Sequence, residues 1–130
     1  KKHISIDGYH MTQSKGLKPS VQLRLKMHGN YYDATATGDG QYDSFMNALS
    51  SIYSSVHKKL PKLVDYHVTI PPGGKTDALV ETVITWEHGN RFKTKGLDPD
   101  QTVAAMMATE KMLNIMDSIT TVPQSTSSNL

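Results

Sequence analysis

The chain predicts an α+β fold built from an internally duplicated βββα repeat, its antiparallel strands covered by helices packed on one side. Three observations carry this. The tripeptide His28-Gly29-Asn30 returns as His88-Gly89-Asn90. A glycine loop opens onto a helical pattern twice, at Gly38 and, with a two-residue slip, at Gly96. Alternating, strand-like stretches precede both helices in the same order. A period of roughly sixty residues is the mark of duplication rather than of one continuous fold, and grouped strands followed by a helix define the α+β class.

The elements follow in order. His3 to Asp7 alternates, with Ile4 and Ile6 inward, and Gln13 to Ser20 is a polar loop. Val21 to Met27 is the clearest strand, apolar at odd positions and polar at even ones, as in a sheet with one wet face. His28-Gly29-Asn30 makes a tight hairpin, and Tyr31 to Thr37 returns with Tyr32, Ala34 and Ala36 on one side. Two glycines in Gly38-Asp39-Gly40 offer positive φ and little bulk. A helix is expected from about Tyr42 to Leu60, where Phe45, Leu49, Ile52, Tyr53, Val56 and Leu60 form one stripe and Pro61 ends it.

The second half repeats this plan. Leu63 to Ile70 reads as a strand and Pro71 to Lys75 as a turn. Leu79 to Trp86 is a strand with apolar residues on both faces, and Arg91 to Lys95 returns after the second His-Gly-Asn. Asp98 is expected to cap the last helix with Pro99 at its first position. That helix carries Val103, Met106, Met107, Leu113 and Met116, and a Ser/Thr-rich stretch follows it.

Composition excludes several functions. With 14 Lys+Arg against 12 Asp+Glu, a net charge of +2 makes no case for nucleic acid. Lys58, Lys59 and Lys62 with His57 form a compact basic cluster, read as a solvated helix end. There is no cysteine, hence no disulfide or thiolate site, and a reducing, cytoplasmic setting is expected. No apolar run reaches the length of a membrane span, so no membrane partner is expected. The six histidines lack metal-ligand spacing and no serine sits in a nucleophile elbow. Neither a metal, a cofactor nor a catalytic constellation is therefore expected.

The first glycine loop draws most interest. A helix N-terminus presents unpaired N–H groups and partial positive charge, which suits a carboxylate. Asp43 beside it could hold the ammonium of the same zwitterion, or simply stabilise the helix start. The residues leave both open.

Taken in combination, the motifs resemble the C-terminal regulatory domain of 2-isopropylmalate synthase and (R)-citramalate synthase. Gly38-Asp39-Gly40 followed by Asp43 and Ala48 is similar to that family's Gly-x-Gly-Pro-x-Asp-Ala segment. Leu63-Val64-Asp65-Tyr66 matches its leucine-x-aspartate-tyrosine strand. Lys95-Gly96 with Asp100, leading into Ala104 and Ala108, matches its second helix start. The likeness covers about residues 3 to 116. Gln41-Tyr42 stands where proline and a small apolar residue are usual, and Ser44 where alanine is.

The resemblance implies a domain that dimerises and binds leucine or isoleucine as a feedback inhibitor near the subunit interface. It implies a preceding catalytic domain on the same polypeptide, a TIM barrel condensing acetyl-CoA with a 2-oxo acid, so this chain alone is not expected to be an enzyme. Residues 1–118 then form the amino-acid-binding unit, with repeats at about 1–60 and 61–118, and 119–130 is a flexible tail. Carried over by position, the ligand contacts are Tyr42, Asp43, Leu63, Tyr66, Ile70, Val80, Pro99 and Gln101. Plain core is the competing account of Leu63, Ile70 and Val80. The departure at Gln41-Tyr42 favours isoleucine over leucine. A small enzyme using Asp43, His67 and Asp100, and a purely structural dimerisation module, are the rival functions.

Overall fold

The computed structural model describes residues 2–70 and 79–120. Strand β1 (Ile4–Thr12), β2 (Ser20–Met27) and β3 (Asn30–Thr37) form one antiparallel sheet in the order β1-β2-β3, followed by helix α1 (Gln41–Ser55). Strand β4 (Lys62–Thr69), β5 (Val80–His88) and β6 (Asn90–Asp98) form a second in the order β4-β5-β6, followed by helix α2 (Gln101–Thr120). The duplicated βββα plan is therefore present, as two separate sheets of three strands.

Helix α1 packs on β2 and β3, and α2 on β5 and β6, while α2 also reaches β1. One continuous core results: Leu23, Leu25 and Met27 of β2 meet Phe45, Leu49 and Ile52 of α1, and Ile84 and Trp86 of β5 meet Met112 and Leu113 of α2. The Trp86 indole, fully buried, donates to Thr94 Oγ1 on the neighbouring strand at 2.9 Å, so its one polar atom is satisfied.

Four sequence expectations are corrected. Strand β1 runs on past Asp7 to Thr12: Asp7 bulges out between Ile6 and Gly8, and pairing with β2 resumes at Gly8 opposite Arg24. Helix α1 ends at Ser55, well before Pro61. There His57 adopts φ 57, its N–H donates to Ser54 O and that of Lys58 to Tyr53 O, the paired bonds of a Schellman ending. The cap of α2 is Asp100, not Asp98, and Pro99 precedes the helix: Asp100 Oδ1 accepts from Thr102 N and Val103 N, while Asp98 accepts from Asp100 N. Last, neither Gly38 nor Gly40 has positive φ. Gly38 is needed for space, since a Cβ there would lie 2.5 Å from Ser44 N.

Helix α2 continues through Thr120, across the first two residues of the expected tail; the rest of that stretch, and the expected turn at Pro71 to Lys75, lie outside the described residues. Among the described residues no helix is long and apolar enough to cross a membrane, and no group of three or more His, Asp or Glu could hold a metal ion.

Candidate functional site at the helix starts

The two helix N-termini lie side by side. Thr102 Oγ1, in the first turn of α2, donates to Gln41 Oε1, the first residue of α1, at 3.2 Å. One residue on, the Tyr42 hydroxyl lies 2.7 Å from Thr109 Oγ1, deep on α2. The Thr109 hydroxyl already donates to Ala105 O, so Tyr42 is the donor in that pair and keeps an acceptor lone pair free. Burial pushes the Tyr42 phenol up, with the Thr109 bond opposing, so it stays protonated at neutral pH. Its ring stacks on Phe45 with centroids 5.9 Å apart and leans on Tyr66 of β4 at 5.5 Å. Tyr42 and Tyr66 are thus brought together as one aromatic wall.

The starts differ in what satisfies them. Gly40, the N-cap of α1, supplies no side-chain cap. Asp43 instead folds back outside the helix, its Oδ2 accepting from Asp39 N at 2.8 Å. It is exposed in the first turn. In α2 the equivalent donors are already held by Asp100. Of the two described helices, α1 therefore has the more open start, its first-turn N–H groups without a side-chain cap and beside a carboxylate, and an anion placed there meets the positive end of the helix dipole.

The remaining expected contacts divide by position. The register pairing Thr69 with Glu81 and Val80 with Asp98 gathers Ile70, Val80, Pro99 and Gln101 at the same end of the second sheet as the helix starts. Val80 is half-buried, Pro99 and Gln101 are exposed, and Ile70 is 70% exposed. Leu63 is at the other end of β4, paired with Trp86 and lining a cleft with Met46, Ser50, Tyr53 and Pro61. The structure does not bring it to Tyr42. Conversely, Gln41, Thr102 and Thr109 belong to the arrangement and are not among the expected contacts. Thr109 has a signal in the sequence: a hydroxyl inside the apolar run Ala104, Ala105, Ala108 and Met112, seven residues and two turns from Thr102.

Residues 1–116 match the family model described as the LeuA allosteric (dimerisation) domain. The chain is also similar to "Putative (R)-citramalate synthase CimA" from Archaeoglobus fulgidus, with 28% identity over 116 residues, 88% of this chain and 23% of that protein. The chain thus spans under a quarter of this curated relative.

Proposed function

We propose a function from one premise: the chain belongs to the LeuA allosteric (dimerisation) domain family. It acts as the feedback-regulatory domain of a citramalate synthase and binds isoleucine at the paired helix starts, near the contact between two copies. The catalytic domain of the same polypeptide condenses acetyl-CoA with a 2-oxo acid. The similarity to a protein named as a citramalate synthase supports the choice of enzyme.

The observation that carries the ligand reading is the uncapped start of α1 beside Asp43 and the Tyr42–Tyr66 wall. The ligand carboxylate takes the first-turn N–H groups of α1, its ammonium pairs with Asp43, and its aliphatic branch lies against Tyr42, Tyr66 and Val80. A homodimer is supported by the second repeat, which exposes Leu63, Ile70, Leu79, Leu97, Met107, Ile115 and Ile119, whereas the first exposes Tyr9, Leu17 and Tyr31 among its large apolar residues. Such a concentration of aliphatic surface suits a self-complementary contact.

Calorimetric titration of the chain with isoleucine, leucine and valine tests this. Saturable binding is expected, strongest for isoleucine, with valine weakened by about 1–3 kcal/mol for its missing methylene. Leucine ahead of isoleucine would keep the site and change the parent enzyme to a 2-isopropylmalate synthase. Heat from none of the three would overturn the reading. A purely structural dimerisation module would remain, an account that the Asp43–Asp39 bond also favours.

A further inference from the structure

A cavity of about 240 Å3 lies at the opposite end of the helices from their starts, where the ends of α1 and α2 meet the beginning of β1. It shares no residue with the helix-start site. Ile4, Leu113 and Met116 give it apolar walls, Asp117 lies in its lining, and Lys58, Lys59 and His88 border it. Asp117 is only 4% exposed, and its Oδ1 sits 2.8 Å from His28 Nε2, a bond that ties the β2–β3 hairpin to α2. A carboxylate accepts several hydrogen bonds at once, so the contact with His28 is compatible with a ligand donor beside it. Tyr53 adds a phenol that burial, and then the Asp117 charge, push up, so it remains protonated.

The backbone is also unusual here. The described non-glycine residues with positive φ are His28, at 48°, and His57, at 57°. His57 lines the cavity, and His28 holds the carboxylate in it. His57 takes this conformation in the turn that ends α1 and His28 in the β2–β3 turn, so both belong to the segments that frame the cavity.

We propose that this cavity binds a small aliphatic amino acid. Its ammonium lies against Asp117, its carboxylate is held by Lys58 and Lys59, and its side chain packs on Ile4, Leu113 and Met116. A buried carboxylate near two helix C-terminal ends selects a cation. The exposed lysines at the mouth select an anion, and the apolar walls accept a short aliphatic chain. The volume suits a ligand of amino-acid size and falls below that of sites for larger ligands, which begin near ~300 Å3. The inference stands independently of the proposed function, since neither site contributes a side chain to the other.

Methyl-labelled methionine NMR of the 130-residue chain tests it, with L-norvaline, butylamine and valerate as probes. L-norvaline should move the Met116 methyl saturably. Butylamine and valerate, each lacking one charged end, should bind at least about tenfold more weakly, the scale of one charge-assisted hydrogen bond. The double variant Lys58→Ser/Lys59→Ser, changed at exposed positions, should lose L-norvaline affinity by about the same factor. Asp117→Asn, which keeps a side chain of the same shape, should do likewise. Asp43→Ala should leave the Met116 response intact, so failure at one site is distinguishable from failure at the other. A Met116 methyl unmoved by L-norvaline at ~50 mM, far above the millimolar range of weak specific binding, would overturn the proposal. So would equal affinity for the three probes, or parent affinity in the lysine double variant.

Discussion

The two repeats share a plan and part at the groups that finish it. In the second, Asp100 caps α2 with two hydrogen bonds, whereas in the first Gly40 caps nothing and Asp43 turns away to Asp39. The sheet edges show a similar asymmetry. The edge of β1 is tied to α2: Asn114 Oδ1 accepts from His3 N and Ile4 N, its Nδ2 donates to Ile4 O, and Glu110 Oε2 accepts from Ile6 N. At the corresponding positions of α1, sixty residues earlier by the helix starts Gln41 and Gln101, stand Ser50 and Ser54, lining a cleft against Leu63 of β4. The asymmetry runs both ways: the second repeat caps its own helix yet leaves the β4 edge and most of the exposed aliphatic side chains open, whereas the first leaves its helix start uncapped and has its β1 edge covered by α2.

The largest expected effect lies where the copies are alike. A Cβ at Gly96 would run into the Ala104 carbonyl, and one at Gly38 into Ser44 N. Both neighbours are helix backbone and cannot swing aside. Gly96→Ala should cost about 3 kcal/mol or more in urea unfolding, and Gly38→Ala about 1–3 kcal/mol. A mild Gly96→Ala would mean that the close strand–helix approach is not shared by the repeats.

Next comes the edge. Asn114→Ala strands two backbone donors and should cost about 1–3 kcal/mol, whereas Ser54→Ala, its positional counterpart, should change stability by no more than about 0.5 kcal/mol. Equal costs in thermal melts would erase the asymmetry. Smaller still, Asp100→Ala should cost about 1 kcal/mol, the ordinary value of a lost N-cap, and leave isoleucine affinity unchanged.

Much of this plan is legible in the sequence. The odd–even alternation of Val21 to Met27 and the Phe45-to-Val56 stripe are local patterns that burial enforces directly, and the repeated His-Gly-Asn exposes the duplication. Even that repeat hides a difference, however. His28 and Gly29 both take positive φ in a two-residue turn, while at the second copy only Gly89 does, with His88 paired to Asn90. His28 is held in its conformation by stacking on His3 and by Asp117, contacts that come from far along the chain. The same holds for the features that local pattern does not reveal. A Schellman ending at a histidine, a bulge at Asp7, and the Tyr42–Thr109 and Gln41–Thr102 bonds all depend on partners distant in sequence or on geometry set by packing. The true cap, Asp100, is masked because Asp98-Pro99 offers an equally good local signature two residues earlier. At the helix-start site, Tyr42 and Tyr66, both carried over from the resemblance, come into ring contact across a helix and a strand. Leu63 lies nearer the other end of β4, where strand rise carries it about 10 Å from Tyr66.

The central claim is that the uncapped start of α1 receives the ligand carboxylate. Gly40→Asp tests it by giving α1 the cap that α2 already has. Position 40 has extended backbone, and a Cβ added there would meet nothing within 4 Å, so the side chain fits. Stability should rise by a few tenths of a kcal/mol. The new carboxylate would occupy the first-turn N–H groups and repel the ligand's own, so calorimetric titration with isoleucine should show affinity reduced at least about tenfold. Parent-like isoleucine affinity in a folded Gly40→Asp chain would contradict the account.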